Sequence, residues 1–134
     1  MKFHLPMCLT LIMSILMGGA LVGCRTAPSP TGGYEQISQE MAKTLIDTEQ
    51  NYILLDVRTQ EEYDLGRIPG AILIPNEVIF DEAEKTLKDK NQLILVYCRS
   101  GRRSKEAAQK LVDLGYTNVK EFGGIIDWPY QTTR

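Results

Sequence analysis

The chain has 134 residues, 15 basic against 17 acidic, with 43% hydrophobic and 24% charged residues. That length suits one domain, and the composition excludes disordered, collagen-like and repeat architectures. A net charge of −2 argues against nucleic-acid binding, which calls for a basic face with interleaved aromatics. In chain order, Lys2 and His4 open a short polar start, and the apolar run LPMCLTLIMSILMGGALVG follows, ending in small residues. This is the layout of an export signal over residues 1–23. The run also approaches the length of a bilayer span, so an uncleaved anchor helix is the alternative.

The junction LVGC, Leu21 to Cys24, resembles a bacterial lipobox. That resemblance implies cleavage before Cys24, lipid on Cys24, and attachment to the membrane of the cell envelope through that lipid. More than one acyl chain makes such an anchor stable rather than marginal. Residues 24–36 are rich in Pro, Gly, Ser and Thr and read as a flexible tether, leaving 37–134 as the domain. An exported protein, lipid-anchored outside the cytoplasm, is the expectation. Removing residues 1–23 leaves 14 basic against 17 acidic residues and takes away His4, the only histidine. Ser-His-Asp and Cys-His machinery are thereby excluded, as are most zinc sites. Cys8 leaves with the signal and Cys24 is consumed by lipid, so Cys98 is the one free thiol and has no intrachain disulfide partner.

Helical and strand periods then alternate. Ser38 is placed to cap a helix over QEMAKTLIDTEQ, with Ile37, Met41 and Leu45 on one face. YILLDV, Tyr52 to Val57, is a short apolar run of the kind that a strand buried on both faces requires. Thr59 and Glu62 have capping-box spacing for a short helix, QEEYDL, which Gly66 and Ile68–Gly70 end. AILIP is a second strand, Asn76 caps a third helix through Lys88, and LILVY, Leu93 to Tyr97, is another buried strand. Ala107, Ala108, Leu111 and Leu114 recur at helical intervals between Gly101 and Leu114, and Gly115 is a natural stop. TNVKEF reads as a last, weak strand and GGIIDW as a turn. The expected fold class is α/β, with a parallel sheet of four to five strands covered by helices on both faces.

In such sheets ligands bind at the carboxyl ends of the strands, and Cys98 stands at one of these ends, just before a helix. Inward-pointing amides and the dipole of the following helix favour a thiolate at a turn of this kind. Gly101 permits a tight cradle, Ser100 and Ser104 add hydroxyl donors, and Arg99, Arg102 and Arg103 stabilise a thiolate or receive an anion. The opposing reading is a buried, inert cysteine followed by a solvated helix start. Cations are the wrong charge for a helix N-terminus. Three of them beside the only free thiol favour an active site.

YCRSGRRS, Tyr97 to Ser104, resembles the active-site loop of the rhodanese, or sulfurtransferase, family. LLDVRTQEEYDLGRIPGAILIP, Leu54 to Pro75, resembles that family's upstream signature, and GGIIDW, Gly123 to Trp128, its closing turn. The resemblance implies a single-domain rhodanese-like fold in which Cys98 attacks a sulfur donor, becomes a persulfide and passes the outer sulfur to an acceptor. Amides from Arg99 to Arg103 would cradle that persulfide, and the arginine side chains would receive an anion such as thiosulfate. The implied partners are a small anionic sulfur donor and a thiol acceptor, with a thiol-redox protein as a further candidate. No cofactor or metal is called for. Arg67 stands where the family often has His, at a position expected to be structural. Asp56 and Arg58 match the family's DVR element and are expected to form a structural pair beside the loop, with anion binding by Arg58 as the rival role. Glu61 and Glu62 are expected to begin a helix, and Trp128 to pack.

Two other functions compete. One is phosphoryl or arsenate chemistry, as a Cys-dependent phosphatase or arsenate reductase: phosphatases of related fold have loops that resemble Cys-x5-Arg, whereas here Arg103 comes five residues after Cys98 and Ser104 six, one residue short. A non-catalytic interaction or persulfide-carrier module is the other, which an intact thiol loop argues against.

Overall fold

The computed structural model describes residues 32–134, so the expected signal segment 1–23 and the lipidation site at Cys24 lie outside the described residues. In chain order come β1 (Glu35–Gln36), α1 (Gln39–Thr48), β2 (Tyr52–Asp56), α2 (Gln60–Leu65), β3 (Ile72–Leu73), α3 (Ile79–Thr86), β4 (Leu93–Cys98), α4 (Arg102–Asp113) and β5 (Val119–Gly124). The strands form one parallel sheet in the order β1-β5-β4-β2-β3. The expected α/β class and the upper of the two expected strand numbers are therefore observed.

β4 shows why a continuous apolar run becomes a strand here. Its side chains alternate between faces, and each face has its own cover. Ile94, Val96 and Cys98 join Ala107, Ala108 and Leu111 of α4 and Ile79 and Ala83 of α3 in one core cluster. Leu93, Leu95 and Tyr97 join Ala42 of α1, Ile68, Phe122 and Trp128 in the other. Each fully buried aliphatic side chain contributes roughly 1.5–3 kcal/mol relative to exposure. Cys98, the last residue of the strand, points to the α4 side of this packed sheet.

The helix starts follow their predicted caps in two cases. The Met41 amide donates to Ser38 Oγ at 3.1 Å. Thr59 and Glu62 close a reciprocal box at 3.3 and 3.0 Å. Gly115, at φ +92°, ends the segment after α4 in the left-handed conformation that glycine tolerates. Asn76 departs from expectation. It sits in a 3-10 turn, Asn76–Val78, that precedes α3, and caps nothing. Instead its buried amide donates to Glu106 at 2.9 Å and accepts from Lys110 at 3.1 Å, both on α4. Long-range polar partners have taken the side chain that local geometry offered to a cap. The segment read as a tether also ends earlier than expected, since Glu35 and Gln36 pair with Lys120 and Glu121 at the sheet edge.

Candidate active site

Cys98 ends β4, opposite Gly124 of β5, where the ladder carries a register irregularity between Val96 and Cys98. Its sulfur is buried, the residue being 1% exposed. The Gly101 amide donates to Sγ at 3.0 Å. Gly101 is at φ +106°, which turns that amide inward and sets the residue as the N-cap of α4. An amide and a helix N-terminus facing one atom suit an anion there. Of the loop amides expected to form the cradle, Gly101 is the one that reaches the resting sulfur.

The loop is pressed against the closing turn. A Cβ built on Gly124 would stand 2.0 Å from the Arg99 carbonyl oxygen and 2.5 Å from Ser100 Cα, so no side chain fits between β5 and the loop. The Ile126 amide donates to Arg99 O at 3.2 Å and holds the loop to the 3-10 turn Ile125–Asp127. Trp128 packs behind, with its ring 5.5 Å from Phe122 and 4.9 Å from Tyr130, in the packing role expected of it.

The arginines divide. Arg103 forms a two-pronged pair with Glu62 of α2, at 2.7 and 2.8 Å. That hydrogen-bonded guanidinium is the main reason the Glu62 carboxyl is lowered from 4.5 to about 2, working against its partial burial. The same pairing raises Arg103, with a smaller contribution from Cys98. Arg102 pairs with Glu106 one turn on, at 2.7 Å on the surface. These two contacts offset the unfavourable charge of arginine in the first turn of a helix, and both guanidiniums face carboxylates at rest. Arg99 and Ser100 are exposed, and Arg99 makes no ion pair with any described residue.

Arg58 sits at the neighbouring corner, after β2. It is 5% exposed and Asp56 is fully buried. Arg58 Nε and Nη2 donate to the Asp56 carboxylate at 2.9 and 2.6 Å, and Nη2 also donates to Gly66 O at 2.7 Å. Burial opposes the charge on Arg58, but the bonds and field of Asp56 outweigh it and raise the guanidinium further. Burial and the same carboxylate push the Tyr97 phenol up. The expected structural pair is thus present. Arg58 also lines a cavity of about 520 Å³ together with Arg99, Glu62, Leu65 and Ile125, so its two expected roles are compatible. Arg67, at the position where a histidine was the alternative, stacks on Tyr63 at 4.4 Å and pairs through its backbone with Thr133.

Two residues take their place only in the fold: Ser104, expected as a hydroxyl donor of the loop, and Glu121, which motif reading did not single out. Ser104 is fully buried behind Cys98, whose thiol donates to Ser104 Oγ at 3.4 Å. The Ser104 hydroxyl in turn donates to Glu121 Oε1 at 2.6 Å, and the Gly123 amide donates to the same oxygen at 2.8 Å. Glu121 is 2% exposed and has no cationic partner among the described residues. Strand alternation could have found it: Val119 and Glu121 share a face, and Val119 is core.

Residues 38–129 match the profile of the rhodanese-like domain. The chain belongs to the rhodanese-like family. It is 38% identical over 73 residues to the thiosulfate sulfurtransferase PspE of Escherichia coli K12, covering 54% of this chain and 70% of that one. It is likewise 38% identical over 92 residues to a sulfurtransferase of Allochromatium vinosum, covering 68% and 83%. Among solved structures, a rhodanese with anions from E. coli superposes with TM-score 0.58 at 34% identity, covering 62% of this chain and 98% of that one. A rhodanese-like domain protein from Staphylococcus aureus gives 0.64 at 30% identity, covering 72% and 93%. Sulfur transfer is the chemistry that the names of these curated relatives share.

Proposed function

We propose that this rhodanese-like domain is a thiosulfate-type sulfurtransferase, moving the outer sulfur of an anionic donor to cyanide or a thiol through a persulfide on Cys98. The observation that carries this reading is the Cys98 sulfur held by the Gly101 amide at the start of α4, with the residue after Cys98, Arg99, lining a cavity that it shares with Arg58. Arg99 and Arg58 attract and orient the donor dianion. The Cys98 thiolate then attacks the outer sulfur, the donor S–S bond breaks, and its electron pair leaves on sulfite. The persulfide anion that remains occupies the amide-lined turn where an anion is favoured. In the second half-reaction a nucleophile takes the outer sulfur and returns the Cys98 thiolate, a ping-pong cycle with covalent catalysis.

Ser104 supports this reading over phosphatase chemistry. It occupies the position where a Cys-x5-Arg loop would place its arginine, and it is bonded to the buried Glu121 carboxylate. The position from which such a loop grips its phosphate therefore carries a neutral hydroxyl instead of a guanidinium.

The test is intact mass after thiosulfate treatment of the purified domain. One added sulfur on Cys98, discharged by cyanide or a thiol, is the expected result. An unchanged mass, or sulfur transfer by Cys98→Ser at the wild-type rate, overturns it. We further propose that the full chain is exported and held at the bacterial cell envelope by lipid on Cys24, for which an acylated Cys24 peptide from membrane fractions is the expected finding. A full-length chain recovered without lipid in the soluble fraction would contradict this.

A further inference from the structure

The thiol must lose a proton before it attacks, and with no histidine in residues 32–134 the usual acceptor is missing. The buried side of the loop supplies another. We propose that Glu121 is a positioning residue that takes the Cys98 proton through Ser104, so that the proton leaves on the side of the loop opposite to donor entry. The inference rests on the sulfurtransferase reading for its role in turnover.

The geometry is a continuous chain of hydrogen bonds, from the Cys98 thiol to Ser104 Oγ at 3.4 Å and from the Ser104 hydroxyl to Glu121 Oε1 at 2.6 Å. One concerted shift balances it. The Cys98 S–H proton passes to Ser104 Oγ as Ser104 passes its own proton to Glu121, leaving a thiolate, an unchanged hydroxyl and a neutral carboxylic acid. The Ser104 hydroxyl then points at sulfur, where it adds a second donor to the Gly101 amide. No charge is created or lost within the pair.

Charge gives the reason. A carboxylate buried without a cation is costly unless hydrogen-bonded. It becomes far more so once a thiolate and a dianion arrive nearby, because like charges in one buried site favour keeping a proton between them. Taking up the thiol proton removes that conflict. Glu121 also lines a second cavity, of about 490 Å³, together with Gln39, Ser100, Lys105, Gly123 and Asp127. That cavity shares no lining residue with the one holding Arg58 and Arg99. The relay carboxylate therefore faces a cavity distinct from the one that the two arginines line. The charged groups around the relay are Lys105 and Asp127 in this second cavity and Arg103 near Cys98, the last held by Glu62. Lys120, on the opposite face of β5, pairs with Glu35.

Iodoacetamide alkylation of Cys98 as a function of pH tests the relay without requiring sulfur transfer. Because one proton is shared by two groups, the wild-type rate should show a flat region between two inflections. In Glu121→Gln the flat region should become a single slope of about tenfold per pH unit, since the thiol then titrates alone. Glutamine keeps the carbonyl oxygen that accepts from Ser104 and Gly123, so the strand is retained. Ser104→Ala removes the hydroxyl whose hydrogen bonds couple the thiol to the carboxylate and, with that coupling gone, should give the same single slope. Profiles of the same shape in wild type and both variants overturn the proposal. A flat region lost in both variants, in a protein that never acquires a persulfide, would keep the relay and sink the sulfurtransferase reading. Persulfide formation with superimposable profiles would do the reverse.

Discussion

Two corners of the sheet set arginine beside acid at the carboxyl ends of adjacent strands, and they are built in opposite ways. After β2, Arg58 is buried, gripped by Asp56 and tied to the Gly66 carbonyl. After β4, the thiol loop places Arg102 and Arg103 against acids on α4 and α2 but leaves Arg99 exposed and unpaired among the described residues. The first corner uses charge to fix a turn. The second uses it to fix a helix start and leaves one arginine without a carboxylate. Under the proposed function, that unpaired Arg99 is the arginine that meets the donor first.

The most forceful way to break this comparison is to remove the acid from the first corner. Asp56→Ala leaves a buried guanidinium without its partner and should destabilise the domain by about 3–5 kcal/mol, read as the unfolding free energy in denaturant. Changing Arg58 to Met in the same chain should recover most of that loss, because the penalty belongs to the orphaned charge. A double variant no more stable than the single one would show that the pair does more than neutralise itself.

A smaller effect sharpens the second corner. Arg99→Ala should raise KM for thiosulfate about tenfold, near 1.4 kcal/mol, with kcat and stability little changed, as expected when a binding contact common to ground and transition states is lost. Arg102→Ala should alter KM by less than about twofold, since its pair with Glu106 is a surface contact of small worth. Equal effects of the two substitutions would mean that Arg102 leaves Glu106 when substrate binds, and that the resting pairing is no guide to the working site.

How much of this was legible in the sequence follows from which forces acted locally. LILVY declared a doubly covered strand because both of its faces need apolar side chains. The Thr59–Glu62 box could be read because its two hydrogen bonds span three residues. Glu62 gripping Arg103 could not, because that partner lies 41 positions away and is brought near only by the sheet. β1 escaped for the same reason: two exposed residues carry no pattern, and their pairing partners are on β5. Asn76 was misread because a cap and a tertiary hydrogen bond use the same side chain. Cys98, Gly101, Ser104 and the closing glycines could be found by motif, but the hydrogen bond that joins Ser104 to Glu121 across 17 positions required the fold.

Glu62 carries the smaller of the expected stability effects and links the two corners, since it lines the cavity beside Arg58 while holding Arg103. Its carboxyl sits at about 2 in the folded chain against an ordinary 4.5. A depressed carboxyl stabilises the fold fully above the unfolded value and loses that contribution as pH falls towards the folded one. The pair is partly solvated, with side-chain exposures of 18% for Arg103 and 26% for Glu62, so its worth is set at about 1 kcal/mol. The difference in unfolding free energy between wild type and Glu62→Gln should therefore be largest near neutral pH, shrink below 4.5 and close near 2. Glutamine retains an oxygen for the Thr59 amide, so the capping box survives and the pH-dependent part reports mainly on the Arg103 pair, the largest cause of the lowered carboxyl. A difference that stays constant across that range would assign the stabilisation to the cap alone, and Arg103 would then be free to join Arg99 in meeting the donor.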